Sequence, residues 1–216
     1  MDFGLAFSFS FRDEKWIEKI VIAALIGLIP IIGWFAVLGW SVEIGRRVIN
    51  GEQEILADWS DFGGLLTDGF KAWLVSLIFS IPLIVVWLPF GFVTAIVASA
   101  DGDTAAAIIN IISFCFTCLT FIYSIALLFF LPASYGRLAA SDGELGDALN
   151  VRELWNMISR SPSAYLIVLL GYLVAGFAAS LGVILCIVGV FLTAAYAAAV
   201  QGHLFGQAYR VSAADA

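Results

Sequence analysis

The sequence predicts an all-α integral membrane protein, a polytopic bundle of about six transmembrane helices that forms a single domain over residues 1–216. Of the 216 residues, 62% are hydrophobic and only 12% are charged, which is roughly half the charged fraction of an average soluble domain. Uncharged runs at 72–100, 104–136 and 161–202 each exceed the ~20 residues that span a bilayer. These observations exclude a soluble core.

The charged and sulfur-containing residues exclude several function classes. The formal net charge is −7, and an acidic surface does not favour a nucleic-acid partner. Cys115 and Cys118 have the spacing of a metal or redox pair, but no second pair and no nearby histidine accompanies them. A free thiol in an apolar run behaves as a small hydrophobe. We therefore expect no metal and no cofactor.

The first apolar segment, residues 19–43, admits two interpretations. Its length suits one crossing. Alternatively, it breaks at 30–33 into a hairpin of helices at about 14–29 and 34–49, each about 24 Å long and short of a ~30 Å bilayer core. Basic residues flank both ends: Arg12, Lys15, Lys19, Arg46 and Arg47. The positive-inside rule favours the hairpin, because only a hairpin keeps both groups in the cytoplasm. Whether it fully spans or is re-entrant stays open.

The longest polar interruption, residues 43–73, leads to the next membrane segment. Between Asp58 and Trp73, aromatic and aliphatic residues recur every three or four positions among polar ones, which predicts an amphipathic helix on the membrane surface. Asp58 is a plausible cap, and Gly69 is typical of an interruption rather than one rigid rod. The residues expected to contact lipid or a partner here are Arg46, Arg47, Trp59, Phe62, Phe70, Lys71 and Trp73.

The remaining apolar runs complete the predicted topology. The segment at 71–99 leads to the acidic turn 101–103, which lacks Lys and Arg and is therefore expected outside. The segment at 104–132 returns, and the region 164–205 splits near 179–182. This gives six crossings in the cell membrane, with both termini cytoplasmic. On the last helix a stripe of small residues predicts close helix packing: Ala194, Ala198, Gly202 and Gly206.

An internal repeat is suggested by two similar polar stretches. The sequence at 134–137 echoes that at 43–46, and each is followed by an amphipathic stretch, the second of which carries Trp155 as a further candidate contact with lipid or a partner. Asn150 with Glu153 forms a credible capping box. Units at 34–99 and 104–181 would be parallel repeats about an axis along the membrane normal. Convergent loop chemistry would produce the same echoes.

Several motifs carry a resemblance to a known family. These are the stretches 28–33, 45–52, 58–62 and 68–72, which read LIPIIG, GRRVINGE, DWSDF and DGFKA. The chain resembles a prokaryotic multi-pass membrane family known as domain of unknown function 4013. Its two surface helices among membrane helices are also similar to the membrane domains attached to some glycerophosphodiester phosphodiesterases. Neither resemblance supplies catalytic residues.

The polar residues that remain discriminate among three function classes. His203 and Glu43 suit structural roles, the latter because Arg46 and Arg47 lie one turn away. The later helices offer only hydroxyls and amides in their apolar parts, which disfavours ion-coupled transport. We expect a non-enzymatic scaffold or accessory protein that contacts membrane lipids through cytoplasmic amphipathic helices, with a membrane protein partner or a homo-oligomer as further candidates.

Two alternatives stay open. An uncoupled permease or exporter-like protein would use broken helices around a path of hydroxyls, with these candidates: Ser76, Ser80, Thr117, Thr120 and Ser124. A membrane enzyme would require its acids and its histidine to converge in one cavity: Glu43, Asp58, Asp61 and His203.

Overall fold

The computed structural model describes residues 1–98 and 103–215, and this part of the chain is all-α, with nine α-helices and no strand. The helices are α1 Phe3–Ser8, α2 Trp16–Gly27, α3 Ile32–Asn50, α4 Phe62–Ala98, α5 Asp103–Ala140, α6 Leu145–Ala148, α7 Val151–Arg160, α8 Pro162–Leu181 and α9 Cys186–Ala214. Short 3-10 helices lie at Phe9–Arg12 and Gly182–Leu185. The predicted all-α class is confirmed.

Four segments in the described part of the chain are long and apolar enough to cross a membrane. They are Phe62–Val97, Ile109–Ala140, Pro162–Ile184 and Val188–Ala214. The chain is therefore a multi-pass membrane protein with four candidate membrane helices in its described part, and the total of about six stays a prediction. The two helices of the first hairpin account for the difference. With 12 residues α2 is only about 18 Å long, and α3 has just 11 uncharged residues before Glu43.

Both predicted breaks in apolar regions are confirmed. The first hairpin breaks between Gly27 and Ile32, where α2 ends and α3 begins. The last apolar region breaks at Gly182–Leu185 between α8 and α9. At the other end of α3, Gly51 has φ 71°, and the amide of Glu52 donates to the Arg47 carbonyl at 3.0 Å. This is a Schellman motif, which explains why the helix stops there.

The structure corrects the prediction of two separate surface helices. Residues 58–61 form a turn, and Phe62 opens α4, which runs without interruption to Ala98. The helix is capped by Asp61, whose carboxylate accepts from the Gly64 amide at 3.0 Å. Gly69 does not interrupt it, because this glycine is the point where α4 touches α3: a Cβ there would lie 1.7 Å from the Phe35 carbonyl oxygen.

The second predicted surface helix exists as α7. Its cap is Asn150, whose side-chain oxygen accepts from the Glu153 amide at 3.3 Å, and this confirms half of the predicted capping box. Pro162 is the first residue of α8, where its missing N–H costs no hydrogen bond. The Asn150 cap therefore marks the start of α7, and Pro162 marks the start of the candidate membrane helix that follows.

The described chain divides into two compact units. Unit 1 comprises Met1–Val75 and Phe129–Ala216, and unit 2 comprises Ser76–Leu128. In unit 1, α9 is central and is packed by α1, α2, α3, α7 and α8. All ten Lys and Arg residues belong to unit 1. Of the acidic turn expected outside, Asp101 and Gly102 lie outside the described residues.

Unit 2 contains the C-terminal part of α4, from Ser76 onward, and the N-terminal part of α5, as far as Leu128. Phe90 stacks on Phe116 with ring centroids 4.1 Å apart, and the hydroxyl of Tyr123 donates to the Phe79 carbonyl at 2.7 Å. Most other large apolar side chains in this unit are exposed. A helix that is apolar on all sides and exposed is typical of contact with lipid.

Candidate functional site

Unit 1 contains a charged cluster in which acids and arginines from two helices, α3 and α4, and the turn after α5 bind one another. We define it as Glu43, Arg46, Arg47, Asp68 and Asp142. The Arg46 guanidinium bonds Glu43, lies 2.7 Å from Asp68, and has Asp142 at 3.6 Å. Arg47 lies 3.1 Å from Glu43. The predicted pairing of Glu43 with both arginines is therefore confirmed, and Asp68 and Asp142 extend it across the fold.

Electrostatics favour the charged form of Arg46 within this cluster. Burial opposes the charge on Arg46, but hydrogen bonds and attraction from Asp68 and Glu43 outweigh it and raise the pKa of Arg46 above its ordinary value. Arg46 also donates to the Ala139 carbonyl at 3.3 Å, and Arg47 donates to the Glu54 carbonyl at 3.1 Å. Both predicted contact arginines are thus occupied inside the protein, which makes the cluster a structural connector.

A second ion-pair site surrounds Lys19 and was missed by sequence reasoning. Its ammonium lies 2.7 Å from Asp13 and 3.0 Å from Asp58, and it donates to the Leu56 carbonyl at 2.8 Å. Burial lowers the pKa of Lys19, but the two carboxylates outweigh this and hold it above its ordinary value. The available signal was a lysine in the first turn of an apolar helix. Its partners, however, are up to 39 positions away.

The aromatic residues predicted to contact lipid or a partner divide into two groups. Trp59 lies inside the fold: it stacks on Trp40 at 5.4 Å and donates its indole N–H to the Lys19 carbonyl at 3.1 Å. By contrast, Phe62, Phe70 and Trp73 are exposed on one side of α4. Lys71 is half-buried, and its ammonium lies so close to Gly143 that a Cβ there would be 2.7 Å away.

Helix α7 presents three different sides. Leu154 and Met157 are buried inside unit 1, to which α7 belongs. Val151 and Trp155, one turn apart, are 54% and 59% exposed, and Trp155 stacks on Phe130 with ring centroids 6.4 Å apart. The third side is polar and carries Arg152, Glu153, Asn156, Ser159 and Arg160. A helix that lies in the membrane interface typically has these three sides: one packed against protein, one apolar and exposed, and one polar.

The arginines of α7 differ from those of the charged cluster. Among the residues that the structure describes, neither Arg152 nor Arg160 has a carboxylate within ion-pair distance, and both are exposed. Arg137, in contrast, donates to the Asp147 carbonyl at 2.9 Å and lies 3.5 Å from its carboxylate. The α7 arginines are therefore available to an external anion.

The stripe of small residues on α9 lies against α3 over half its length. A Cβ on Gly202 would be 2.3 Å from the Ser41 carbonyl oxygen, and one on Gly206 would be 2.7 Å from that of Gly45. The Ala198 carbonyl accepts from the Ser41 hydroxyl at 2.8 Å. Ala194 is exposed and lines a groove of about 270 Å³. The backbones of α3 and α9 thus touch at the two glycines.

The groups that an enzyme would need lie in separate places, each with its own partner. Glu43 binds the arginines of the charged cluster, Asp58 binds Lys19, and Asp61 caps α4. His203 is buried, stacks on Phe9 at 4.4 Å and lies 2.9 Å from the Gln207 amide. Because Gln207 accepts from the Asp2 amide through its oxygen, its nitrogen donates to Nδ1 of the histidine, which is the neutral Nε2–H tautomer.

The hydroxyls proposed for a polar path bond within their own helices. Ser80 donates to the Ser76 carbonyl at 2.7 Å, Thr117 to that of Ser113 at 2.8 Å, and Ser124 to that of Thr120 at 2.8 Å. Such back-bonding one turn earlier satisfies a hydroxyl without a partner on another helix. These three side chains need no water-filled path.

The two halves of the suggested repeat use comparable contacts in unit 1. A Cβ on Gly45 would be 2.1 Å from the Phe205 ring, and one on Gly136 would be 3.1 Å from Cβ of Tyr209, so both glycines face α9. Each is followed by an arginine bound to an acid. Gly51 and Gly143, one after each helix, have φ 71° and 87°. The repeat stays a prediction, but its loop signals correspond to real helix ends.

Comparison with known proteins gives one match. A family model described as Protein of unknown function (DUF4013) matches residues 22–188. The matched region contains the charged cluster and α7. No curated protein matches, and no solved structure matches.

Proposed function

The chain belongs to the family described as Protein of unknown function (DUF4013), and from that premise we propose that it is a non-enzymatic membrane scaffold or accessory protein. Its contact surface is α7, and the partner of that surface is the anionic lipid of the cytoplasmic leaflet. Both termini are cytoplasmic in this proposal, because all ten basic residues belong to unit 1 and the positive-inside rule assigns their loops to that side.

One observation carries the proposal: α7 is a surface helix with free arginines and exposed apolar side chains. Trp155 and Val151 would enter the headgroup region, where the amphipathic indole is favoured. Arg152 and Arg160 would meet lipid phosphates, each contributing about 1 kcal/mol near an anionic membrane. Glu153 opposes them, so the helix carries a net charge of +1 from these three residues.

Two further sets of contacts favour this function over the alternatives. The candidate acids and His203 are each used by a different structural interaction, which favours a structural role over catalysis. Three of the five hydroxyls expected along a permeation path, those of Ser80, Thr117 and Ser124, bond carbonyls of their own helices, which favours a packed bundle over a permease. The proposal therefore assigns the polar residues to holding unit 1 in shape so that α7 is presented to the membrane.

The experiment places a fluorescent label on the apolar side of α7. Val151→Cys is made in a chain whose three native cysteines are alanine, labelled with bimane and reconstituted into vesicles with or without anionic lipid. We expect blue-shifted emission and protection from the neutral quencher acrylamide in anionic vesicles, with the protection weakened by salt. The variant that combines Arg152→Gln and Arg160→Gln loses most of it, whereas the matched control Glu153→Gln strengthens it.

Two results would contradict the proposal. Equal acrylamide quenching in neutral and anionic vesicles would show that α7 does not bind anionic lipid, and would direct attention to a protein partner on the same helix. Protein-dependent flux of small polar solutes that is abolished by Ser80→Ala and Ser124→Ala would instead establish a permease.

A further inference from the structure

The turn between α2 and α3 has an unusual backbone in which most N–H groups find an acceptor within the turn or the end of α2. Ile31 has φ 67° and ψ −65°, and the Ile32 amide donates to the Pro30 carbonyl at 2.8 Å. This is the classic γ-turn, a rare and strained conformation. For a β-branched residue, positive φ is a genuine outlier. The strain calls for a physical reason at this position.

Hydrogen bonds inside the turn supply that reason. The amides of Leu28, Ile29 and Gly33 donate to the carbonyls of Leu25, Ile26 and Ile29 at 3.2, 2.9 and 3.0 Å. Proline at 30 has no amide hydrogen. In five of the six residues from 28 to 33, the backbone N–H is therefore either absent or already bonded to a carbonyl, and needs no hydrogen bond to water. At a tip in water such closure is unnecessary, but in hydrocarbon every backbone group must find its partner within the protein.

The side chains at the tip are apolar and exposed. Ile31 is 65% exposed and Trp34 is 70% exposed, and the other exposed residues around them are Leu25, Leu28, Ile29 and Ile32. No charged residue occurs between Lys19 and Glu43. The end of α2 also lies beside an apolar residue of a candidate membrane span, because a Cβ on Gly27 would be 3.5 Å from the Phe191 ring.

The two arms of the hairpin have the same short reach. The 12 residues of α2 extend about 18 Å, and the stretch of α3 from Ile32 to Glu43 extends about 17 Å. Charged groups fix the base of both arms: Lys19 lies in its ion-pair site, and Glu43 lies in the charged cluster. A reach of 17–18 Å cannot cross a ~30 Å hydrocarbon core.

From these observations we propose that the α2–α3 hairpin is re-entrant: its tip ends among lipid acyl chains inside the bilayer, and it returns to the side from which it entered. Acyl chains surround the exposed tip residues, and hydrogen bonds within the turn satisfy most of its backbone N–H groups where no water is present. This inference is independent of the lipid contact of α7, since it concerns a different element and the interior of the membrane rather than its surface.

Spin labelling in the full chain tests the tip directly. Ile31→Cys is made in the chain whose three native cysteines are alanine, labelled with a nitroxide and reconstituted in nanodiscs that hold one copy. Ser60→Cys, in the exposed turn before α4, is the matched control. We expect collisions with oxygen to exceed those with a water-soluble nickel chelate several-fold at 31, and the opposite order at 60.

A second position keeps the test valid if the turn does not tolerate cysteine. Trp34→Cys lies in the regular first turn of α3 and should give the same oxygen preference. Nickel collisions at 31 and 34 equal to those at 60 would place the tip in water and overturn the proposal. Low collisions with both reagents would also overturn it, because the tip would then be buried in protein.

Discussion

The crossing of α3 and α4 allows a quantitative prediction about stability. The two helices touch through backbone atoms at Gly39 and Gly69: a Cβ on Gly39 would lie 1.7 Å from the Leu65 carbonyl oxygen, and one on Gly69 would lie 1.7 Å from that of Phe35. Cβ atoms in real structures stay at least about 3.0 Å from such atoms. Either Gly39→Ala or Gly69→Ala must therefore separate the helices by more than about 1 Å.

The expected cost of either substitution follows from the stiffness of the contact. A carbonyl of a helix backbone cannot rotate away as a side chain can, so we expect about 3 kcal/mol, the upper end of the range for overpacked cores. For a chain of this length that corresponds to a loss of roughly 6–12 °C in the melting temperature. The double variant should lose less than the sum of the two, because one separation relieves both clashes.

The assay is thermal unfolding in mild detergent, with Gly176→Ala as the matched control. A Cβ on Gly176, inside α8, would meet nothing within 4 Å. This substitution should stabilise the protein by up to about 1 kcal/mol through helix propensity alone. Unchanged melting of both Gly39→Ala and Gly69→Ala would refute the close crossing. Full additivity in the double variant would show that the two glycines do not share one contact.

Three further changes test other contacts by the same unfolding assay. Gly202→Leu should cost about 3 kcal/mol by overpacking against Ser41, whereas Ala194→Leu, at the exposed end of the stripe, should change little. Lys19→Met should cost about 3 kcal/mol, because it leaves Asp13 and a buried carbonyl without their partner. Ile31→Gly should be more stable than Ile31→Ala by about 1–2 kcal/mol, since only alanine keeps the strain of positive φ.

Each of these predictions has an outcome that contradicts it. Equal melting of the two leucine variants would place the whole stripe against lipid. Because the pKa of Lys19 is raised, its contribution is complete below the ordinary value of 10.5 and is lost as pH rises through the folded-state pKa. As pH rises through this pKa, the stability of the wild type should therefore fall, whereas that of Lys19→Met should show no such fall. The same dependence of stability on alkaline pH in both proteins would oppose the role of Lys19. If Ile31→Ala were as stable as Ile31→Gly, position 31 would not have the strained positive φ described here.

Local features of the fold could be predicted from the sequence. Proline and glycine at 30–33 indicate the first break, and the cap at Asn150 indicates the start of α7, because each signal acts within a few residues. The pairing of Glu43 with Arg46 and Arg47 was predictable for the same reason, since positions three and four apart share a helix face.

Contacts between distant segments could not be predicted in this way. The partners of Lys19 come from segments on both sides of the first hairpin, and Asp142 meets Arg46 across nearly a hundred residues. Gly69 was interpreted as an interruption, because its sequence does not reveal that α3 lies against it. The sequence does not fix the number of membrane helices, because the first hairpin is largely apolar but short, and three charges lie near the end of α3.

The binding of anionic lipid by α7 can be measured as the lipid that stays bound to the purified protein. Wild type and the variant combining Arg152→Gln and Arg160→Gln are purified in mild detergent, and the lipids that remain bound are quantified by mass spectrometry. Two arginines at about 1 kcal/mol each predict roughly 30-fold weaker anionic lipid binding in the variant, with neutral lipid unchanged. Equal retention of anionic lipid by both proteins would contradict the claim.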